Sequence, residues 1–166
     1  MLLQRSSLLF QFTCRLLAIA PILSLSSMKS IRTADGVVGK GIVHEPRSGD
    51  YRNVVIWMHG LGDTADGWAS LMPELGLEHT KFILPTAPKR PISLNGGMLM
   101  NWWSDIYSLS SSDREDESGF MESRERIHGI VKAEVDDGIE PSKVSLSLHV
   151  VTDGSTACRL SDRRCI

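Results

Sequence analysis

Residues 54–68 read VVIWMHGLGDTADGW, an apolar run that ends abruptly in His-Gly and an acidic, glycine-containing turn. His59 has the residue type of a base or a metal ligand. Asp63 and Asp66 beside it have the type that ligates a cation. Gly60 and Gly62 let a backbone come close to a ligand or take positive φ. A second cluster, His149, Asp153 and Ser155, holds the three residue types of acyl transfer within seven positions of the C-terminal tail. Three cysteines, Cys14, Cys158 and Cys165, form no C-x-x-C pair, so no structural zinc site is expected. Cys158 and Cys165 could close a small loop in an oxidising compartment, although nothing else is built like a disulfide scaffold.

These side chains need elements to hold them. Val54–Met58 is a short β-branched and aromatic run without alternation, which predicts a strand buried on both faces of a parallel sheet. A strand opening into a glycine turn is where open α/β sheets place ligand chemistry. Residues 36–52, punctuated by Gly and Pro, suit short edge strands or an entering loop. Apolar spacing predicts a helix over 66–76, capped by Asp66 and stopped by Gly76. A strand follows at 82–84, then a long loop over 85–112 of the length that forms lids. A helix is predicted over 118–137, with Phe120, Ile127, Ile130, Val131 and Val135 on its apolar side and Gly138 as its stop. A third strand is predicted over 143–151. Alternating strands and helices imply an α/β fold with a parallel sheet.

Composition narrows the function. The chain has 166 residues, 42% of them apolar, and a formal net charge of −2, so it can build one core and lacks the basic excess that a nucleic acid or an anionic membrane requires. Its first part differs. No acidic residue precedes Asp35, whereas Arg5, Arg15, Lys29 and Arg32 all fall there. Leu16–Leu25 is apolar and interrupted upstream by Arg15 and Gln11, which suits a targeting segment better than a membrane span. Secretory and mitochondrial segments both fit. A start at Met28 would instead leave a cytoplasmic protein.

Five segments in register, HGLGDTADGW, PTAPKRPISLNGGM, WSDIYSLS, EDESGF and DGIEPSKV, resemble the acyl-protein thioesterases, in the phospholipase/carboxylesterase branch of the α/β-hydrolases. The likeness runs from Val54 to Ser147. It implies an α/β-hydrolase domain with a mostly parallel sheet and flanking helices, a serine acyl-enzyme mechanism without cofactor, and palmitoylated proteins or lysophospholipids as partners. It implies that the Leu61 N–H is an oxyanion-hole donor, a group worth roughly 3 to 4 kcal/mol in the transition state. It makes His59, Gly60 and Gly62 a structural turn rather than a base and its neighbours. It lays the 85–112 loop over an acyl channel, with Leu94, Met98, Met100 and Trp103 as lining; flexible Met side chains suit an acyl chain of varying shape. Trp102 departs from the pattern and receives no role. Asp63 and Asp66 read as a solvated acidic turn.

The same likeness calls for a G-x-S-x-G elbow after the third strand, with Ser, Asp and His following in that order. The chain reads LHVVTDGSTACRLSDRRCI there, and no G-x-S-x-G occurs in it. The tail cluster has the wrong order for this fold. The expected organisation is therefore a targeting or disordered segment over 1–35, a partial α/β-hydrolase domain over 36–148 and a divergent tail over 149–166. No catalytic residue is assigned. The strand at 143–148, central in the family, is expected at a sheet edge.

Overall fold

The computed structural model describes residues 28–33, 36–110, 114–149 and 158–159. Among them run β1 (Met28–Thr33), β2 (Gly36–His44), β3 (Asn53–Met58), α1 (Asp66–Ala69), α2 (Leu71–Glu74), β4 (Thr80–Pro85), β5 (Lys89–Ile92), β6 (Met98–Asn101), α3 (Glu117–Asp136), β7 (Val144–Leu148) and β8 (Cys158–Arg159). Six strands form one sheet in the order β1-β2-β4-β3-β7-β8. The central strands are parallel: Val54 of β3 faces Lys81 of β4 on one side and Val144 of β7 on the other. The flanking pairs β1-β2, β2-β4 and β7-β8 are antiparallel. β5 and β6 make a separate antiparallel hairpin.

Strand side chains alternate between faces, and that alternation builds two cores. Val54, Ile56 and Ile83 pack with Ile31 and with Ile127 and Ile130 of α3. Phe82 and Leu84, with Val55 and Trp57 at the margin, pack on the other face with Ile42, Met72 and Trp68. Each fully buried aliphatic side chain contributes about 1.5–3 kcal/mol. α3 brings 20 residues to its face, whereas α1 and α2 supply four residues each. Val54 and Ile56 thus have no exposed surface, while Val55 and Trp57 stay half-buried. The expectation that this strand is buried on both faces is corrected accordingly.

Other corrections have local causes. The helix expected over 66–76 is two single turns broken at Ser70. A continuous helix would drive the Pro73 ring into the Ala69 carbonyl. Asp66 lies inside α1 behind Ala65, and Leu71 and Leu75 face outward. The 85–112 loop contains the β5-β6 hairpin. Its turn uses positive φ at Gly96 and Gly97, after Asn95, a hairpin signal within the stretch read as irregular. On α3, Phe120 is exposed; the buried side runs through Gly119, Ser123, Ile127, Ile130 and Glu134. A Cβ at Gly119 would meet Asp116 and Arg90, so this turn must lie against the hairpin without a side chain. Met28–Thr33, inside the 1–35 segment, forms β1, and Ile31 is buried. β7 ends at Leu148, and β8 pairs with its last two residues, so among the described residues the expected edge has a partner at Ser147 and Leu148.

Polar groups join the layers. Lys81 Nζ lies 2.7 Å from Glu134 Oε1, both side chains about one-tenth exposed. Burial opposes the Lys81 charge, but the Glu134 hydrogen bond and charge together raise its pKa. Asp116 caps α3 by accepting from the Gly119 N–H (3.0 Å) and also accepts from the Asp105 N–H (2.7 Å). Asp105 accepts from the Ser93 N–H (2.7 Å) and hydroxyl (2.6 Å). Arg90 donates to the Trp102 carbonyl (3.0 Å) and pairs with Glu122 (3.2 Å). The hairpin is thereby fastened to the start of α3.

Candidate active site

β3 ends at Met58, and the chain turns sharply through His59, Gly60, Leu61 and Gly62. His59 is 1% exposed, and both of its ring nitrogens are engaged. The Ala87 N–H donates to Nε2 (3.0 Å), so Nε2 carries the lone pair and Nδ1 the proton. That Nδ1–H donates to the Gly60 carbonyl (2.7 Å). Burial lowers the His59 pKa, against the opposing effects of the Gly60 carbonyl and Asp63. The imidazole is held neutral in one tautomer, with no lone pair left for a base.

The next residues present a backbone donor. Leu61 N–H donates to no described residue, and its side chain is 37% exposed. Gly62 has φ +78° and donates its N–H to the Asn101 carbonyl (3.0 Å). The positive φ favours glycine there, and a Cβ on Gly62 would stand 2.8 Å from Met100 Cε, which would have to shift. An unengaged N–H between two fixed residues is the geometry that can meet a developing oxyanion.

Asp63 is not a solvated carboxylate. It accepts from the Thr64 N–H (2.7 Å) and from the Trp68 indole N–H (2.8 Å), which binds the turn to α1. That corrects the acidic-turn expectation. Asp66 meets the Thr64 hydroxyl at 3.4 Å. No group of three or more metal-ligating side chains exists among the described residues.

The hairpin residues separate into two groups. Leu94 and Met98 are exposed, Met98 by 63%. Met100 lies half-buried against the turn, its sulfur accepting from the Asn95 amide (3.2 Å). Trp103 is buried in the core, its ring tilted over His59 at 5.3 Å, and its indole N–H donates to the His59 carbonyl (3.0 Å). Its own carbonyl accepts from the Ser123 hydroxyl. Trp103 is therefore packed against the turn and buried, whereas Leu94 and Met98 are exposed. Asn101 escaped notice in the sequence, although its amide donates to the Ala87 carbonyl (2.7 Å) and its own carbonyl accepts from Gly62. The signal was there: one amide between Met98-Leu99-Met100 and Trp102-Trp103.

At the end of β7 the neighbouring parallel strand offers something different. His149 donates its N–H to the Met58 carbonyl (2.9 Å), and its ring lies 4.2 Å from that of Trp68 and 6.2 Å from that of Trp57. Asp153, Ser155, Cys14 and Cys165 lie outside the described residues, and Cys158 is described only as backbone of β8.

Known proteins with this arrangement can now be compared. The sequence pattern of the Phospholipase/Carboxylesterase family matches residues 41–147. The acyl-protein thioesterase 1 of Yarrowia lipolytica is 36% identical over 124 residues, which is 72% of this chain and 52% of that protein. That of Schizosaccharomyces pombe is 40% identical over 91 residues, 54% of this chain and 41% of its own. The crystal structure of Zea mays acyl-protein thioesterase 2 is similar with a TM-score of 0.54 and 33% identity, covering 68% of this chain and 46% of that one. The chain spans about half the length of the curated relatives it matches.

Proposed function

The chain belongs to the phospholipase/carboxylesterase family of α/β-hydrolases, and from that premise we propose that its 166 residues carry the oxyanion-donating and acyl-binding part of a thioester and ester hydrolase. The observation that carries the reading is the Leu61 N–H, unengaged among described residues and fixed between His59 and Gly62. The substrate carbonyl would lie at that N–H, with the acyl chain running toward Met100, Met98 and Leu94. Acylated proteins, which the relatives' names indicate for themselves, are the proposed substrates here, with long-chain thioesters as the bond cleaved, and lysophospholipids the alternative. A cytoplasmic location with Met28 as the working start belongs to the same proposal.

A specific observation favours a second reading for these residues taken alone. The family's elbow would read Gly-Phe-Ser where the chain has Leu148-His149-Val150, and the His149 ring packs against Trp68 at 4.2 Å and Trp57 at 6.2 Å. A chain with the donor and without the nucleophile binds acyl groups and does not cleave them. Fluorophosphonate labelling beside a p-nitrophenyl octanoate assay separates the two. Stoichiometric serine labelling with turnover supports a working hydrolase; no labelling, with octanoate shifting the Leu61 amide in an NMR titration, supports binding alone.

A further inference from the structure

The turn and the segment Met98–Trp103 are joined by two direct hydrogen bonds, two more that meet at Ala87, and one close contact. Gly62 N–H donates to the Asn101 carbonyl, and the Trp103 indole donates to the His59 carbonyl, each at 3.0 Å. The Asn101 amide donates to the Ala87 carbonyl at 2.7 Å, and the Ala87 N–H donates to His59 Nε2 at 3.0 Å. Met100 Cε lies under Gly62. Each bond touches the segment Met98–Trp103 or the turn it faces. The same short segment presents Met98 and Leu99, both more than 60% exposed, at its outer end. Ser123 on α3 holds the Trp103 carbonyl, so the inner end is anchored to the core while the outer end faces solvent.

We propose that Asn101 and Trp103 are positioning residues that set the direction of the Leu61 N–H, and that an acyl chain lying on Met98 and Met100 tightens this clamp. The acyl-binding surface and the oxyanion donor are then one mechanical unit: a long acyl group orders the segment, and the segment aims the donor. Short acyl groups that do not reach Met98 leave the donor less well fixed. Chain-length preference would arise from donor geometry as well as from burial of the chain. The inference rests on Leu61 being an oxyanion donor.

The test uses the full chain, labelled with 15N and with 13C in the methionine methyls. Trp103→Phe keeps a ring over His59 and removes the indole N–H. Loss of one such bond should speed hydrogen exchange at the Gly62 amide about fivefold to tenfold, while Ile83 and Leu84 in β4 exchange as before. Asn101→Asp, which loses the amide donor, should act in the same direction and carries the test if the tryptophan variant fails to fold. Sodium octanoate should move the Leu61 amide and the Met98 and Met100 methyls with one midpoint in the unaltered chain. In the variants the methyls should still respond while the Leu61 shift falls by about half or more. Unchanged Gly62 exchange in both folded variants, or acceleration spread equally over β4, overturns the clamp. An accelerated Gly62 with no Leu61 response to octanoate in the unaltered chain leaves the clamp standing and overturns the oxyanion reading on which the coupling depends.

Discussion

Two histidines occupy matching places at the ends of adjacent parallel strands. His59 follows β3 and His149 follows β7, joined through the bond from the His149 N–H to the Met58 carbonyl. Both face the end of the sheet where this architecture does its chemistry. His59 is buried, with both ring nitrogens committed and the backbone on either side fixed. His149 is half-buried, and among the described residues its side chain makes ring contacts with Trp57 and Trp68. The comparison teaches that, among the described residues, the hydrogen bonds that hold the Leu61 turn and the segment beneath it run within 59–123. On the proposed role of Leu61, positioning and nucleophile would then be separable parts of one site.

The largest effect that could break this comparison is turnover. If the β7 end lacks a nucleophile, the 166 residues should hydrolyse p-nitrophenyl octanoate roughly a millionfold more slowly than a serine hydrolase with its triad, the loss that follows removal of the serine or histidine. Fluorophosphonate should label no serine, and Ser155→Ala should change nothing. Measurable turnover that Ser155→Ala abolishes would show that the tail cluster supplies a nucleophile after all.

Replacing each histidine in turn is the next test. His59→Ala leaves the buried Ala87 N–H without an acceptor and opens space beneath Trp103. It should cost about 3 kcal/mol in urea unfolding. His149→Ala removes aromatic contacts at a half-buried position and should cost about 1 kcal/mol. Equal costs would mean that the two strand ends are alike in packing, contrary to their geometry.

How much of this was legible beforehand follows from the range of the forces. The strand at 54–58, the helix over 118–137 and its Gly138 stop depend on local pattern, and they stand within a residue or two of where the sequence put them. The His-Gly-Leu-Gly turn was legible through the glycines. The clamp was not, because its bonds join residues 28 and 44 positions apart, from His59 to Ala87 and to Trp103. The resemblance implied channel lining for Trp103, but its hydrogen bond to the His59 carbonyl, 44 positions away, carries no local sequence signal. The hairpin was hidden by Pro, Gly and Ser, which read as loop, although Asn95-Gly96-Gly97 carries a turn signal.

Acid should expose the difference between a fixed and an unfixed imidazole. Burial lowers the His59 pKa, so below its ordinary value of 6.5 the unfolded chain takes up a proton that the folded chain refuses. The unfolded state then binds more protons, and stability falls as pH drops from 7 toward 5, by at most about 1.4 kcal/mol per pH unit from this group. His44, lowered chiefly by burial against the Ala69 hydrogen bond, acts in the same sense. Asp105 and Asp116 do not contribute in this window. Ser93 lowers the first, and the Asp105 and Gly119 amides lower the second, so their stabilisation is present above 3.8 and lost only as pH falls further. Lys81, raised by Glu134 despite burial, loses its contribution only above its ordinary value of 10.5. His59→Gln should flatten the slope between pH 7 and 5 in chemical unfolding measured at each pH. A slope that survives both His59→Gln and His44→Gln would place the sensitive group elsewhere.

The smallest expected effect separates binding from folding at the outer end of the same hairpin. Met98 pairs with Ile92 across the β5-β6 ladder, yet Ile92 is fully buried and Met98 is 63% exposed. Its side chain adds little to the core, so Met98→Gln should change stability by no more than about 0.5 kcal/mol. An acyl chain lying on that methionine would bury it, and the polar amide would then have to leave water without a partner. The octanoate midpoint should therefore weaken by about threefold to tenfold, the cost of about 1 kcal/mol in an imperfectly paired amide. The same exchange at Leu109, 86% exposed and beyond the clamp, should leave the midpoint unchanged. If Met98→Gln and Leu109→Gln have the same effect on octanoate, the acyl surface does not run along β6. The separation between a fixed inner end and a ligand-facing outer end of the hairpin would then be lost.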